Sequence, residues 1–210
     1  MEARRYSTLY SLLKEREKMK GYQEAIDQLE RKYETGARPT SYDEIRFIFK
    51  NISCLGKGYH TIVELGTFRG FTVQMMAYGL ATLEKKHPTE VAGEIYTCDL
   101  NSSPDFLSEY EKHITFKQED SIKMASQFRD DSIDFLYIDT IHTYEQTRKE
   151  IEAYYPKMKD GHCFCGHNYT PHKVRGRQVI RAVEAWKAEN ANKWIGFGLK
   201  HRIWWMLKDD

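Results

Sequence analysis

The sequence has no CxxC pair, no excess of charge of one sign, and no apolar run long enough to span a bilayer. Its four cysteines, Cys54, Cys98, Cys163 and Cys165, lack the spacing of a secreted disulfide framework, so reduced thiols in a cytoplasmic protein are expected. Basic residues number 32 and acidic residues 31, a net charge of +1. That balance argues against a general nucleic-acid or membrane binder, which shows a clear charge excess. The opening stretch, MEARRYSTLYSLLKEREKMK, is charged throughout and lacks the apolar segment and small-residue cleavage site of a signal peptide. No run approaches the ~20 apolar residues of a membrane helix. Internal repeats and low-complexity segments are also missing. A chain of 210 residues suits one α/β domain, alone or with an appendage. It can bury roughly 70% of its unfolded surface without a disulfide or metal staple.

What is present changes character near residue 59. Residues 1–58 read as helix. Tyr22, Ile26, Leu29 and Tyr33 fall at helical spacing, as do Ile45, Ile48, Ile52 and Leu55. Ser41 followed by Glu44 is a capping-box pattern that starts the second helix, and Gly36 and Pro39 separate the two. From residue 60, short β-rich runs (60–65, 94–99, 113–117, 133–139, 162–166) alternate with helix-like stretches (71–86, 104–112, 121–128, 143–158). That alternation predicts βαβ units and a mostly parallel sheet. After Pro171 a helix is expected over 174–189. WIGFGL and RIWWMLK are then separated by two residues, which predicts an antiparallel hairpin at one sheet edge. The expectation is a Rossmann-like, doubly wound, seven-stranded sheet.

Ligands bind such sheets outside the carboxyl ends of the strands. Glu64, Gly66 and Gly70 lie in ELGTFRGFT, where the first strand turns into a helix. Glycines there let backbone approach a ligand, and Glu64 suits a cationic ammonium better than a pyrophosphate. Asp99 ends the second strand and can accept both hydroxyls of a ribose, or cap the next segment. Asp120 and Ser121 follow the third strand and can contact an adenine or cap a helix. Asp139 ends the fourth strand, with His142 three residues on. A carboxylate and an imidazole so placed can bind a metal or take a proton from a hydroxyl. His167 and Asn168 end the fifth strand beside them. Cys163 and Cys165, in HCFCGH, alternate on one strand and read as buried structural thiols rather than a zinc site.

This ordered set, from about residue 60 to 208, resembles the class I S-adenosylmethionine-dependent methyltransferases. It is most similar to the small O-methyltransferases of the macrocin O-methyltransferase-like group, and more distantly to catechol O-methyltransferase. The most diagnostic stretch is DFLYIDTIHTYEQTRKEIEAYYPKMKDGHCFCGHNY. The resemblance implies S-adenosylmethionine bound by Glu64, Gly66, Thr67, Gly70, Asp99, Asp120 and Ser121. It implies Asp139 and His142 as catalytic residues, with His142 as the base, and Asp139, His167 and Asn168 around a divalent metal such as magnesium. Asn168 stands where the macrocin-like group has an aspartate. One anionic ligand is therefore missing, which weakens the site for a hard ion. The implied acceptor is a hydroxyl of a small molecule or sugar. Residues 59–210 would form the catalytic domain. The 1–58 extension would cover the site or join subunits of a homo-oligomer. A nicotinamide oxidoreductase shares the architecture but would carry GxGxxG. An amino-methyltransferase would carry an Asn/Asp-Pro-Pro-Tyr turn after the fourth strand. A binding or scaffolding relative without catalysis stays open, with Asn168 as its trace.

Overall fold

The structure, a computed structural model, describes residues 20–33, 41–200 and 202–209. The chain divides into two compact units, residues 1–39 and 40–210. In the first, α1 (Lys20–Lys32) carries Tyr22, Ile26 and Leu29 along one face, and Gly21 sits in its first turn without breaking it. The expectations for residues 1–19, Gly36 and Pro39 lie outside the described residues.

The second unit opens with α2 (Tyr42–Ser53). Ser41 caps it through the expected box: Glu44 N–H donates to Ser41 Oγ, and Ser41 N–H donates to the Glu44 carboxylate at 2.7 Å. Then follow β1 (Gly58–Leu65), α3 (Phe71–Lys86), β2 (Val91–Cys98), α4 (Ser108–Glu111), β3 (Ile114–Lys117), α5 (Ser121–Ala125) and β4 (Ile133–Ile138). The chain continues through α6 (Tyr144–Tyr154), a 3-10 turn at Tyr155–Lys157, β5 (Met158–Gly166), α7 (Val174–Glu189), β6 (Trp194–Lys200) and β7 (Ile203–Lys208). The strands form one sheet in the order β3-β2-β1-β4-β5-β7-β6. The first five strands pair in parallel and the final hairpin is antiparallel, both within itself and to β5. This is the expected mostly parallel, seven-stranded Rossmann-like sheet.

Several boundaries differ from expectation. The 143–158 helix stops at Tyr154, because Pro156 cannot continue an α-helix, and Met158 already belongs to β5. Only one turn of the 104–112 segment is helical, and α5 ends at Ala125 rather than 128. Strand β4 and the Cys163–Gly166 end of β5 are buried because helices cover both faces of the sheet there. Val63, Leu65, Leu136, Ile138, Phe164, Trp186, Trp204 and Met206 form the core on one side. On the other, α2 packs on α3 through a stacked Phe49–Tyr78 pair with centroids 5.5 Å apart. Cys163 and Cys165 are buried and unpaired by disulfide, as expected of structural thiols.

The two ends of the central strands carry charge differently. At the amino ends, buried Asp134 accepts from Lys159 Nζ at 2.8 Å, from Thr61 N–H at 2.9 Å and faces His60 Nδ1 at 3.2 Å. That cluster ties β1, β4 and β5 together. At the carboxyl ends the polar groups gather around the turns described next. No helix among the described residues is long and apolar enough to cross a membrane.

Candidate active site

The backbone ladder of the sheet runs on into the loops beyond it. Gly66 and Thr67 N–H donate to Cys98 O, Asp139 N–H donates to Leu65 O at 2.8 Å, and His167 N–H donates to Ile138 O at 2.9 Å. The ends of β1, β4 and β5 are thus fixed against one another before any side chain acts. Gly66 has φ +97, and a Cβ on it would stand 2.2 Å from the carbonyl oxygen of Asp139. Only glycine permits this conformation and this approach. The turn after β1 therefore presses directly on the residue that ends β4.

On the β1–β2 side, Asp99 does not cap a helix. Its two oxygens accept from Phe68 N–H at 2.9 Å and Asn101 N–H at 3.0 Å, holding the loops after β1 and β2 together. Phe68 has φ +47, a conformation non-glycine residues adopt mainly where the surroundings impose it. Thr67 and Thr97 hydroxyls meet at 2.6 Å, and Thr97 also donates to buried Glu64 at 2.7 Å. Burial drives the Glu64 carboxyl well above the ordinary range; the Thr97 bond opposes this, and the charges of Asp139 and Asp99 add to the rise. Gly70, at φ +86, starts α3. Asp120 Oδ1 caps α5 by accepting from Ile122 and Lys123 N–H. Ser121 turns inward and donates to Glu150 at 2.7 Å. Glu150 also accepts from Thr140 at 3.0 Å, so it joins the loop after β4 to the start of α5.

On the β4–β5 side, Asp139 Oδ1 faces His142 Nε2 and His167 Nδ1, each at 3.0 Å. His142 is not the helix cap: Thr143 is, through its hydroxyl and Gln146 N–H. His142 instead adopts φ +62, and Asn168 adopts φ +64. Left-handed residues beside paired titratable groups are typical of functional sites. Burial alone would raise the Asp139 carboxyl; the hydrogen bonds and charge of the two histidines outweigh it and hold it at about 2. Burial alone would lower His167; Asp139 and Glu44 outweigh it and hold the ring at about 9. Glu44, fully buried, is held down at about 2: burial raises it, and His167, the Ser41 amide and Arg202 more than reverse this.

A pH dependence follows. His167 titrates near 6.5 when unfolded, so its contribution is complete below that pH and is lost as pH rises through about 9. Asp139 and Glu44 give the opposite limb, complete above their ordinary 3.8 and 4.5 and lost as pH falls toward about 2. Thermal unfolding from pH 5 to 10 is expected to lose on the order of 3 kcal/mol from the His167 pairing. His167→Gln should flatten that alkaline limb; an unchanged limb in the variant would show that other groups cause it.

The structure thus brings Asp139, His142, His167 and Asn168 to one end of neighbouring strands. It places Glu64, Gly66, Thr67, Gly70 and Asp99 around the first turn. Asp120 and Ser121 it engages in a helix cap and in the Glu150 bracket. Sequence reasoning passed over Glu44 and Glu150. Glu44 was visible only as a capping residue, and nothing in the pattern marked Glu150 apart from its helix.

A family model described as a methyltransferase domain matches residues 63–169. No curated protein matches the chain. Among solved structures, a Corynebacterium glutamicum protein superposes with a TM-score of 0.60 at 8% identity, over 98% of this chain and 97% of that one. An O-methyltransferase from Bacillus cereus in complex with SAH gives 0.58 at 15% identity, over 88% of this chain and 90% of that one. MycE, a methyltransferase of the mycinamycin biosynthetic pathway solved with Mg, SAH and mycinamycin VI, gives 0.58 at 13% identity. That match covers 88% of this chain and 54% of MycE.

Proposed function

The chain belongs to the methyltransferase-domain family, and on that premise we propose that it moves the methyl group of S-adenosylmethionine to a hydroxyl of a small molecule or sugar, in the manner of the macrocin-like O-methyltransferases. The observation that carries the acceptor chemistry is the Asp139–His142 pair at the carboxyl end of β4. An alcohol oxygen attacks a sulfonium methyl poorly until its proton is removed. His142 Nε2 faces Asp139, which leaves Nδ1 as the nitrogen able to take that proton. Asp139 then stabilises the imidazolium that forms. The methyl group leaves the sulfur as the oxygen bonds to it, and the donor departs as S-adenosylhomocysteine. Holding donor and acceptor in line supplies part of the ~7–11 kcal/mol available from orientation.

For the donor, Asp99 offers its carboxylate to the ribose hydroxyls. Glu64 lies buried below the turn, where a cationic ammonium would restore the charge that burial disfavours. Asp120 and Ser121 would border the adenine while keeping their structural bonds. Asp99→Ala should weaken S-adenosylmethionine binding by on the order of 1–3 kcal/mol, through lost charge-assisted hydrogen bonds. Calorimetry tests this. NAD binding, or unchanged affinity in the variant, would overturn the donor assignment.

The residues present fit a divalent ion. Ligand atoms of Asp139, His142 and His167 lie within 4.8 Å of one another, and Asn168 Oδ1 is buried without a hydrogen-bond partner. Asp139, His167 and Asn168 would hold the ion, with His142 beside them. An imidazole and an amide in place of carboxylates favour manganese or zinc over magnesium. When bound, such an ion polarises the acceptor hydroxyl as a Lewis acid. Chelation followed by titration with magnesium, manganese and zinc tests the assignment. Activity unaffected by chelation would leave His142 as a base acting alone.

A further inference from the structure

The Glu44 carboxylate is fully buried, although a capping box needs only a surface glutamate. Its Oε1 accepts from Arg202 N–H at 3.1 Å and Nε at 3.2 Å. Its Oε2 accepts from Ser41 N–H at 2.7 Å and Arg202 Nη2 at 3.3 Å, and stands 3.6 Å from His167 Nε2. That ring nitrogen is buried and has no closer hydrogen-bond partner. Arg202 O in turn accepts from Tyr169 N–H, two residues past His167. One carboxylate therefore joins the start of α2, the turn of the final hairpin and the back of the His167 ring. An isolated buried carboxylate is strongly unfavourable, and one turned toward an imidazole normally fixes which way the ring points.

We propose that Glu44 is a positioning residue of the candidate active site: it holds the His167 ring from behind, so that Nδ1 meets Asp139 and Asp139 meets His142. The proposal rests on the methyl-transfer reading for its consequence and on the Glu44–His167–Asp139–His142 geometry for its substance. A helix outside the matched methyltransferase-domain region thereby acts on the chemistry through two side chains. Glu44 makes no contact with the reacting atoms.

The alternative is that Glu44 only anchors α2, and two variants separate the cases. Glu44→Gln retains a side chain able to complete the capping box but removes the charge facing His167. Ser41→Ala removes the cap hydroxyl and leaves that carboxylate in place. In protein labelled with 15N-histidine, the His167 ring resonances are expected to shift and broaden in Glu44→Gln and to keep their wild-type positions in Ser41→Ala. Should Glu44→Gln fail to fold, Glu44→Asp, which draws the carboxylate back from the ring, is expected to shift the same resonances. Unmoved His167 resonances in a folded Glu44 variant, or equal shifts in Ser41→Ala, would overturn the proposal. S-adenosylmethionine affinity, measured on the same samples, should stay at the wild-type value in both variants. Failure of the wild type to bind it would overturn the methyl-transfer reading and leave the ring result standing.

Discussion

Asp139→Ala is expected to lower methyl transfer by about 10²–10⁴-fold while S-adenosylmethionine affinity largely survives. Two imidazoles share one oxygen of this carboxylate, so its removal undoes both pairings together. His142 loses the group that orients it and stabilises its protonated form. His167 keeps only Glu44 as a facing carboxylate. Breaking a buried pair by removing one partner also costs about 3–5 kcal/mol of stability. Asp139→Asn, which retains an acceptor oxygen, separates the two effects: it should stay folded and still transfer slowly. The measurement is movement of labelled methyl from S-adenosylmethionine to a hydroxylated acceptor, paired with calorimetry for the donor. Wild-type transfer in a folded Asp139 variant would remove Asp139 from the mechanism.

Gly66→Ala should be strongly destabilising for a change of a single methyl group. Its backbone lies in the left-handed half of conformational space, and the added Cβ would collide with a backbone carbonyl rather than a movable side chain. Left-handed strain contributes roughly 1–2 kcal/mol, and the forced separation of the β1 turn from β4 brings the total to about 4 kcal/mol or more. For a chain of this size that lowers the melting temperature by roughly 8–16 °C. Donor binding should be lost with it, since the turn moves. Gly56→Ala is the control, because a Cβ there meets nothing within 4 Å. If both variants melt together, the close approach of Gly66 to Asp139 does not constrain the fold.

Much of this architecture is legible in the sequence, for identifiable reasons. Helices α3 and α7 begin and end at the expected residues because Gly70, His87, Lys173 and Asn190 bracket continuous periodic runs. The strand ends carrying Asp139 and His167 were legible because an apolar run that stops on a polar residue marks the edge of a parallel sheet. The β5 start was missed because MKDG is polar and contains a left-handed Gly161, so nothing apolar announces it. Pro156 was the available signal that α6 had ended. Glu44 was beyond reach for another reason. Its cap is local and readable, but its meeting with Arg202 and His167 depends on how the hairpin and α2 close on the sheet, which no short pattern encodes. The meeting of His142 with Asp139 and His167 follows from their places at neighbouring strand ends and is legible in the sequence, whereas the φ +62 backbone of His142 is not.

The strand order carries a consequence for how the protein is made. Strand β7 lies between β5 and β6, so the outer edge of Cys163–Gly166 gains its partner only once residues 203–208 have left the ribosome. Until then a growing chain presents an apolar strand with an unpaired rim, the kind of edge that recruits other strands. Arg202 follows β6, so Glu44 gains its guanidinium partner only after that strand has been made. Ribosome-bound chains arrested before residue 200 should therefore depend on holding chaperones more than chains that include β7.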